Sequence, residues 1–533
     1  MFNLHRMKEQ SIIASALLLS LTALNSHAAT ATFDPASGIA DFPVVEVLSG
    51  GSSAFYSAQL QLIGNELQLI AANSIAATTG QRNVFDSDTS AVHVAAVTVG
   101  ADEFYAKLKL VPGSDPLRFT VDQLVNNAFQ GCPSFAQPGP TANSCILSGT
   151  ITSNATLTNN TEWILQGPVY VGGDKTQSAT LTINPGTKII GLDKAYLWIR
   201  RDSKIMAEGT PDNPIIMTGA IGQDAGEWAG LVLAGNAPVN GCNAGVPVCE
   251  IPFEAVTTEI YGGNNPTDNS GVLKYVQILF AGDAVRQDEE LNGLTLNGVG
   301  SGTVIDYVQV HAGLDDGVEV FGGTVQMKHL VLTSIRDDSL DWTNGWQGRA
   351  QFVLIKQAAD SGDRGIEADN NEVDNSSAPR AQPILSNMTI IGRTGSAVEG
   401  VLLRRGTGAN IWNSVITGGF VSCLKIDGPA TFTNAGSPGS LSGSLTIGHS
   451  FVNCTGNFGD GEGATFTTSD WFLSQSENQE GDPLLSGYLP ASGSPLTLGG
   501  TAVPDAFFTP VNYIGAFRDA DDDWTKEWTF PFN

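Results

Sequence analysis

The sequence contains few charged residues, and most of them are acidic. Charged residues make up 15% of the 533 positions, and 54 aspartates and glutamates outnumber 26 lysines and arginines, which gives a formal net charge of −28. A surface with this balance repels nucleic acid and anionic membranes, so we expect no nucleic-acid partner. It attracts divalent cations and disfavours acidic polysaccharides unless a cation bridges the two. Solubility in salt-rich surroundings is the simpler explanation of the same acidity.

The sequence also lacks hydrophobic runs long enough to span a membrane. The longest lies at 12–24, and no other stretch approaches the ~20 apolar residues that span a bilayer. Arg6 and Lys8 precede this run and Ser-His-Ala at 26–28 follows it, so residues 1–28 are predicted as a signal peptide. We therefore expect an exported protein in the periplasm, at the cell surface or in the medium, with no transmembrane segment in the mature chain.

The sequence carries no nucleophile elbow, P-loop, dinucleotide fingerprint or zinc-ligand spacing. Its six cysteines are Cys132, Cys145, Cys242, Cys249, Cys423 and Cys454. An even number in an exported chain indicates disulfides, and proximity in sequence favours the pairs 132–145, 242–249 and 423–454. Buried free thiols are the alternative.

Long helices favour Ala, Glu, Lys and Leu, whereas this chain has few Glu and Lys, uses many Gly, Thr, Ser, Asn, Val and Ile, and carries a repeat. A short pattern recurs at intervals of about two dozen residues, which is typical of a solenoid. Apolar and polar residues alternate inside each copy, as in a strand. The copies are Asn-Gly-Leu-Thr-Leu at 292–296, Asp-Gly-Val-Glu-Val at 316–320, Asp-Ser-Leu-Asp-Trp at 338–342, Arg-Gly-Ile-Glu-Ala at 364–368, Glu-Gly-Val-Leu-Leu at 399–403 and Ser-Cys-Leu-Lys-Ile at 422–426.

Strands at this period, without helical segments between them, predict an all-β chain built around a parallel β-helix. A β-sandwich with regularly spaced strands is the alternative. Alternating runs near the amino terminus predict a small antiparallel meander, with one face buried. The predicted organisation is a meander domain at 29–125, a linker or cap at 126–145, the β-helix at 146–517 and a tail at 518–533.

The repeat alignment places three carboxylates above one another. If the first apolar residue of each copy faces inward, Glu319, Asp341 and Glu367 face outward on three successive coils, ~4.8 Å apart. We call these three residues the acidic column. Asp316 and Asp338 lie at the preceding corners. Small residues two positions before the column predict a shallow trough; they are Gly293, Gly317, Ser339, Gly365 and Gly400.

Carboxylates at this spacing repel one another, and three arrangements would offset the repulsion. A Ca²⁺ ion prefers such oxygen ligands; the candidate ligands, called the acidic site below, are Asp316, Glu319, Asp338, Asp341 and Glu367. A ladder of ion pairs would draw on the nearby cationic side chains, which are Arg336, Arg349, Arg364, Arg404 and Lys425. A carboxyl group could instead stay protonated with a raised pKa, as a catalytic acid requires.

The stretches at 204–216, 228–238, 261–264, 315–323 and 337–342 are like those of poorly characterised exported bacterial β-helix proteins, which the chain resembles over roughly residues 146–530. More broadly, the chain resembles the pectate-lyase-like superfamily of right-handed parallel β-helices. The resemblance implies a right-handed parallel β-helix solenoid with a small N-terminal antiparallel β domain, and no firm activity. Of the polygalacturonase motifs only the Asp-Asp element is present, at 315–316 and 337–338.

Two functions are compatible with these features. The first is an exported cell-surface or extracellular protein that binds a polysaccharide, a divalent cation or another surface protein, without established catalysis. The alternative is a calcium-dependent polysaccharide lyase, whose candidate catalytic residues are Glu319, Asp341, Glu367, Arg364 and Arg404. Four tryptophans are predicted as core or half-buried residues, and an exposed one would indicate a platform for a sugar ring; they are Trp228, Trp342, Trp346 and Trp412.

Overall fold

The computed structural model describes residues 30–532, apart from residues 50–51, 79–81, 88, 244, 287–288 and 441–442 and the side chains of residues 284–290. The predicted signal peptide therefore lies outside the described residues. The regular secondary structure of the described chain is almost entirely β. It forms a small N-terminal sheet and a long parallel coil.

The N-terminal sheet has eight strands: β1 (Ala31–Asp34), β2 (Ile39–Ser49), β3 (Ser52–Ile63), β4 (Glu66–Ser74), β5 (Asn83–Asp86), β6 (Ala91–Val99), β7 (Asp102–Leu110) and β8 (Arg118–Asn126). Their order is β1-β2-β3-β4-β8-β7-β6-β5, and neighbours in this order are antiparallel. Parallel pairings of β1 with β6 and of β2 with β5 close the sheet on itself. Apolar side chains such as Phe42 and Phe119 fill much of its interior.

The coil begins with β9 (Gln137–Pro138), β10 (Ser144–Ile151), β11 (Ala155–Leu157), β12 (Glu162–Val171), β13 (Thr180–Ile183), β14 (Lys188–Gly191), β15 (Tyr196–Ile199), β16 (Lys204–Glu208), β17 (Ile215–Gly219), β18 (Gly230–Ala234), β19 (Ile251–Pro252), β20 (Ile260–Tyr261), β21 (Gly271–Leu279), β22 (Ala284–Arg286), β23 (Glu289–Glu290) and β24 (Leu294–Asn297). Two short hairpins, β19–β20 and β22–β23, stand outside the parallel pairing.

The second half contains β25 (Val304–His311), β26 (Val318–Phe321), β27 (Gln326–Thr333), β28 (Leu340–Thr343), β29 (Arg349–Lys356), β30 (Ile366–Ala368), β31 (Ile384–Gly392), β32 (Glu399–Leu403), β33 (Ala409–Trp412), β34 (Val415–Gly418), β35 (Ser422–Ile426), β36 (Leu445–Gly448), β37 (Phe451–Asn453), β38 (Phe458–Asp460) and β39 (Gln479–Glu480). A last hairpin joins β40 (Leu485–Ser486) and β41 (Leu489–Pro490). Among the described residues, the helical elements are α1 (Pro429–Ala435), α2 (Thr468–Leu473) and a 3₁₀ turn at Pro495–Thr497.

Apart from β9, which is antiparallel to β10, and the short hairpins, the strands of the coil pair in parallel with strands one turn later. Leu294 pairs with Val318, Val318 with Leu340, and Leu340 with Ile366, and all four side chains are fully buried. The predicted parallel β-helix with a small N-terminal antiparallel sheet is confirmed. The β-sandwich alternative is excluded, because a sandwich is built from antiparallel pairs.

Both ends of the coil are covered. Phe129, Cys132 and Phe135 of the predicted linker or cap pack against the core at one end. At the other end, Trp471 and Phe472 of α2 are buried in the same core. The cover shields strand edges that would otherwise be open to pairing with other chains.

One corner of the coil is formed by bulky residues in the left-handed region. Tyr275, Tyr307, His329, Phe352 and Asn387 have φ angles of 49°, 54°, 48°, 60° and 57°. This conformation is unfavourable for residues other than glycine. Stacking of the four rings offsets the strain. The ring centroids are 4.5 Å apart for Tyr275 and Tyr307, 4.1 Å for Tyr307 and His329, and 5.0 Å for His329 and Phe352.

The end of the chain runs back along this corner as a strap, which we define as residues 499–530. Gln351 and Thr509 exchange two hydrogen bonds of 2.9 and 2.8 Å between the amide side chain and the strap backbone. Asn413 and Thr501 exchange two more, of 2.8 and 2.9 Å. Amide side chains of the coil thus pair with the strap as a neighbouring strand would.

An ion-pair cluster around a buried arginine holds the N-terminal sheet to the side of the coil. Arg82 lies 2.7 Å from Glu46 of the same sheet, 2.9 Å from Asp212 of the coil and 2.5 Å from Glu527 of the strap. Only 3% of the Arg82 side chain is exposed. Three separate parts of the chain therefore meet at one guanidinium group.

The three predicted disulfides, 132–145, 242–249 and 423–454, are all formed, and no cysteine is free. The cross-link between Cys423 and Cys454 closes the largest loop, with a sequence separation of 31. Among the described residues, no helix has the length and apolar character that crossing a membrane requires.

Replacing both Cys423 and Cys454 by alanine is expected to lower the free energy of unfolding by about 3 kcal/mol, because the cross-link restricts the unfolded chain. Urea unfolding measures this loss. The matched double variant at Cys242 and Cys249, where the separation is 7, should lose less. An equal or larger loss there would contradict the explanation.

Candidate functional site

The acidic column lies in register on three neighbouring strands. Glu319 of β26 pairs with Asp341 of β28, and Asp341 pairs with Glu367 of β30. Their neighbours Val318 and Leu340 point into the core and are fully buried. The alternation of a β-strand therefore directs the three carboxylates to the outer face, as the repeat predicts.

The corner carboxylates join the column to form a continuous cluster. Four groups of three acidic residues bring one carboxylate oxygen from each member within 4.8 Å of the other two. The groups are Asp315–Asp316–Asp337, Asp316–Glu319–Asp341, Asp337–Asp338–Asp363 and Asp338–Asp341–Glu367. All five residues of the acidic site belong to at least one group.

Backbone and amide hydrogen bonds position these carboxylates. Asp316 accepts a hydrogen bond of 3.1 Å from the backbone N–H of Asp338, and Asp338 accepts one of 2.6 Å from the backbone N–H of Arg364. The side chain of Asn292 donates to Glu319 at 2.7 Å. Each corner carboxylate therefore bridges to the next turn of the coil, which fixes the spacing of the cluster.

Among the described residues, cationic side chains lie close to Asp338 and Glu367, at one end of the site. Arg364 lies 3.1 Å from Glu367, and Arg404 forms an ion pair with the same carboxylate. One coil further, Lys425 pairs with Glu399 at 3.0 Å. A ladder of ion pairs therefore forms from Glu367 onward.

The other end, formed by Asp316, Glu319 and Asp341, is rich in carboxyl groups. Burial and neighbouring carboxylates raise the pKa values of Asp316, Glu319 and Asp341 well above the ordinary range. Protons or a cation must offset the repulsion among these three groups. At the end that carries the arginines, burial raises the pKa of Asp338 to about 8 and also raises the pKa of Glu367, although the neighbouring guanidinium groups oppose both shifts.

One oxygen at the centre of the site has no partner. Oδ1 of Asp341 is buried and receives no hydrogen bond from any described residue. A buried carboxylate oxygen without a donor is unfavourable. Carboxylate oxygens are also the ligands that Ca²⁺ prefers, and their spacing here allows several to reach one ion. The residues present therefore fit a hard divalent cation, held by Asp316, Glu319 and Asp341 or by Asp338, Asp341 and Glu367.

The glycines beside the column have a different role from the one expected. A Cβ atom at Gly293 would lie 2.3 Å from Val310, and one at Gly365 would lie 2.6 Å from Ile390. Val310 and Ile390 are core residues. These glycines therefore permit close packing inside the coil, and the proposal of a shallow trough created by small residues is wrong at these positions.

Several residues singled out in the sequence lie outside the site. Arg349 pairs with Asp505 of the strap at 2.6 Å. Trp228, Trp342 and Trp346 are fully buried and Trp412 is half-buried. All four are therefore core or half-buried residues, as predicted.

A network of amide side chains was not foreseen. Asn371 donates to Asn240 and to Asn344 at 3.1 Å each, and Asn344 donates to Tyr261 at 2.9 Å. Asn344 and Asn371 follow β28 and β30, which carry the column, whereas Asn240 and Tyr261 belong to the excursion at 235–270. Their only signal in the sequence is the frequency of asparagine near the corners, which does not indicate partners.

The comparison with protein families agrees with this architecture. Residues 149–473, more than half of the chain, match the family described as a pectate-lyase-like β-helix domain. No curated protein matches the sequence. One solved structure, the enzymatically active domain of tailspike protein 2 of bacteriophage CBA120, is similar at 12% identity, over 74% of this chain and 54% of that chain, with a TM-score of 0.24. The chain thus spans about half the length of that structure. On the family match and the parallel coil together, the chain belongs to the pectate-lyase-like β-helix family.

Proposed function

We propose that this protein is an exported carbohydrate-binding protein whose acidic site holds a divalent cation, most favourably Ca²⁺, and through it binds an acidic polysaccharide. The observation that carries the proposal is the unpartnered, buried Oδ1 of Asp341 among carboxylates within 4.8 Å. Family membership supports a carbohydrate-binding or carbohydrate-active protein. Three disulfides support export, because such bonds persist in oxidising compartments.

The charge of the whole molecule favours binding through a cation. The net charge of −28 repels a polymer of uronic acids. A bound cation would contribute open positions to which carboxylates of such a polymer can add. The partly exposed cations nearby do not take over this role, because Arg405 pairs with Asp369 and Glu372 and Lys425 pairs with Glu399.

The two arginines beside Glu367 favour a binding function over a lyase reaction. A lyase of the pectate type needs an arginine that accepts a proton. Arg364 and Arg404 are both held in ion pairs with Glu367. The surrounding carboxylates raise the pKa values of both guanidinium groups above the ordinary value, although burial opposes the shift. Each arginine therefore holds its proton more firmly than usual, which disfavours a role as a base.

Binding to polygalacturonate, with and without Ca²⁺, tests the proposal. Calorimetry should show binding only when Ca²⁺ is present, because the cation bridges two acidic partners. The variant Asp341→Asn should lose this binding. The matched variant Asp360→Asn, at an exposed position on the same coil, should retain it. Equal binding with and without Ca²⁺, or by both variants, would contradict the proposal.

The same incubations test the alternative function. A lyase would release unsaturated sugars, which absorb in the ultraviolet. We expect no such product from the native protein. If products form and are lost in Arg364→Lys or Arg404→Lys, the protein is a lyase, and the binding proposal must be replaced.

A further inference from the structure

The interior of the N-terminal sheet is not completely filled. A cavity of about 470 Å³ opens into it. Most of its lining is apolar, and the buried members include Phe42, Leu60, Phe85, Val92 and Phe119. The cavity is within the range of about 300–1,000 Å³ that is usual for small-molecule sites. It lies in a different part of the molecule from the acidic site.

The mouth of the cavity follows from the strand pairing. β4 pairs with β8 only over Glu66–Gln68. From Ile70 to Ser74, β4 continues beside β3 with no second strand partner among the described residues. The sheet therefore opens between this part of β4 and the turn at 115–117, and the turn lines the cavity.

The rim of the cavity is polar and carries one acidic group. Tyr56, Asn73 and Asp115 line the mouth, and Asn73 and Asp115 are exposed. The lining includes no lysine, arginine or histidine. The rim can therefore form hydrogen bonds with a polar end group, but it repels an anionic one.

We propose that the N-terminal sheet binds an uncharged or cationic amphiphile, whose apolar chain enters the cavity and whose polar end remains at the rim. Eight-stranded closed sheets either fill their interior with side chains or hold one small ligand, and this interior is incompletely filled. Apolar cavities bind apolar molecules because water in them lacks polar partners. The proposal is independent of the function proposed for the acidic site.

Binding of decanol, decylamine and decanoate to the full-length mature protein tests the site. Decanol and decylamine should bind, and decanoate should bind at least roughly tenfold more weakly because of Asp115. A chelator should change none of these affinities, since the acidic site is elsewhere. Failure of decanol and decylamine to bind up to their solubility limits would overturn the proposal.

Two variants locate the ligand. Ala58 lines the cavity, whereas the adjacent Gln59 is exposed. Ala58→Phe should fill the cavity and weaken decanol binding by about tenfold or more, whereas Gln59→Phe should leave it unchanged. Equal affinities in the two variants would overturn the proposal.

A rim variant keeps the test decisive if Ala58→Phe does not fold. Asp115→Asn should strengthen decanoate binding and leave decanol binding unchanged. Unchanged decanoate affinity would show that the polar end does not lie at this rim, and the proposal would fail. An extended peptide with alternating valine and lysine tests whether the open edge of β4 instead accepts an added strand. If this peptide binds and decanol does not, the proposal of an amphiphile site is overturned.

Discussion

Without divalent cations, the protein is expected to lose stability as the pH rises from about 5 to about 8. The pKa of Asp338 is about 8 in the folded state, compared with about 3.9 for an ordinary aspartate. Asp316, Glu319 and Asp341 shift in the same direction. The folded state therefore binds more protons than the unfolded state across this range. Their stabilising effect is complete below the unfolded pKa values and is lost as the pH rises through the folded ones.

Thermal unfolding in a chelating buffer measures this dependence. Added Ca²⁺ should remove most of it, because the ion takes the place of the protons among the same carboxylates. The rise in unfolding temperature should accordingly be larger at pH 8 than at pH 5. If Ca²⁺ raised the unfolding temperature equally at pH 5 and pH 8, protons and the cation would not compete for the same carboxylates, which would contradict the prediction.

Asp341→Asn separates the structural role of the site from its binding role. In the absence of divalent cations at pH 8, it should raise the free energy of unfolding by roughly 1–3 kcal/mol, because it removes one of several repelling charges. It should also abolish the stabilisation by Ca²⁺. Asp360→Asn, at an exposed position, should do neither. A less stable Asp341→Asn protein would indicate that the carboxylate is offset by partners within the chain.

Trp528→Ala is expected to lower the free energy of unfolding by about 3–5 kcal/mol. Only 1% of Trp528 is exposed. Its ring packs edge-on against Tyr275 and Tyr307, with centroids 5.9 Å apart in both cases, and its Nε1 donates to the backbone of Trp524 at 2.8 Å. Removing the ring leaves the left-handed corner of the coil without its cover.

Denaturant unfolding at fixed pH measures this loss. Trp412→Ala provides the matched control, since Trp412 is half-buried and lies outside the strap. It should lose distinctly less stability than Trp528→Ala. Equal losses would show that the strap adds little to the coil it covers.

The repeat predicts the register of the coil because the repeat and the fold share one period. Aligning six copies is enough to place Glu319, Asp341 and Glu367 above one another, as the strand pairing has them. Proximity in the sequence also predicts the disulfide pairs correctly. Each pair joins two parts of one excursion or of adjacent coils, so residues that are near in sequence are also near in space. Local and periodic features are thus accessible without coordinates.

Contacts between distant parts of the chain leave no such pattern. The strap has no strand period, and its bonds join residues such as Gln351 and Thr509, which are far apart in sequence. The cluster of Arg82, Asp212 and Glu527 likewise depends on how separate elements meet. The sequence also does not indicate which carboxylates form ion pairs with arginines, because this depends on the direction of the side chains at each corner.

Calorimetric titration of Ca²⁺ into chelator-treated protein at pH 8 tests the central claim most directly. We predict saturable binding with a dissociation constant of about 10⁻⁴–10⁻³ M or tighter, accompanied by proton release, and its loss in Asp341→Asn. No saturable binding to the native protein, or an unchanged affinity in Asp341→Asn, would contradict the assignment of the acidic site to a divalent cation.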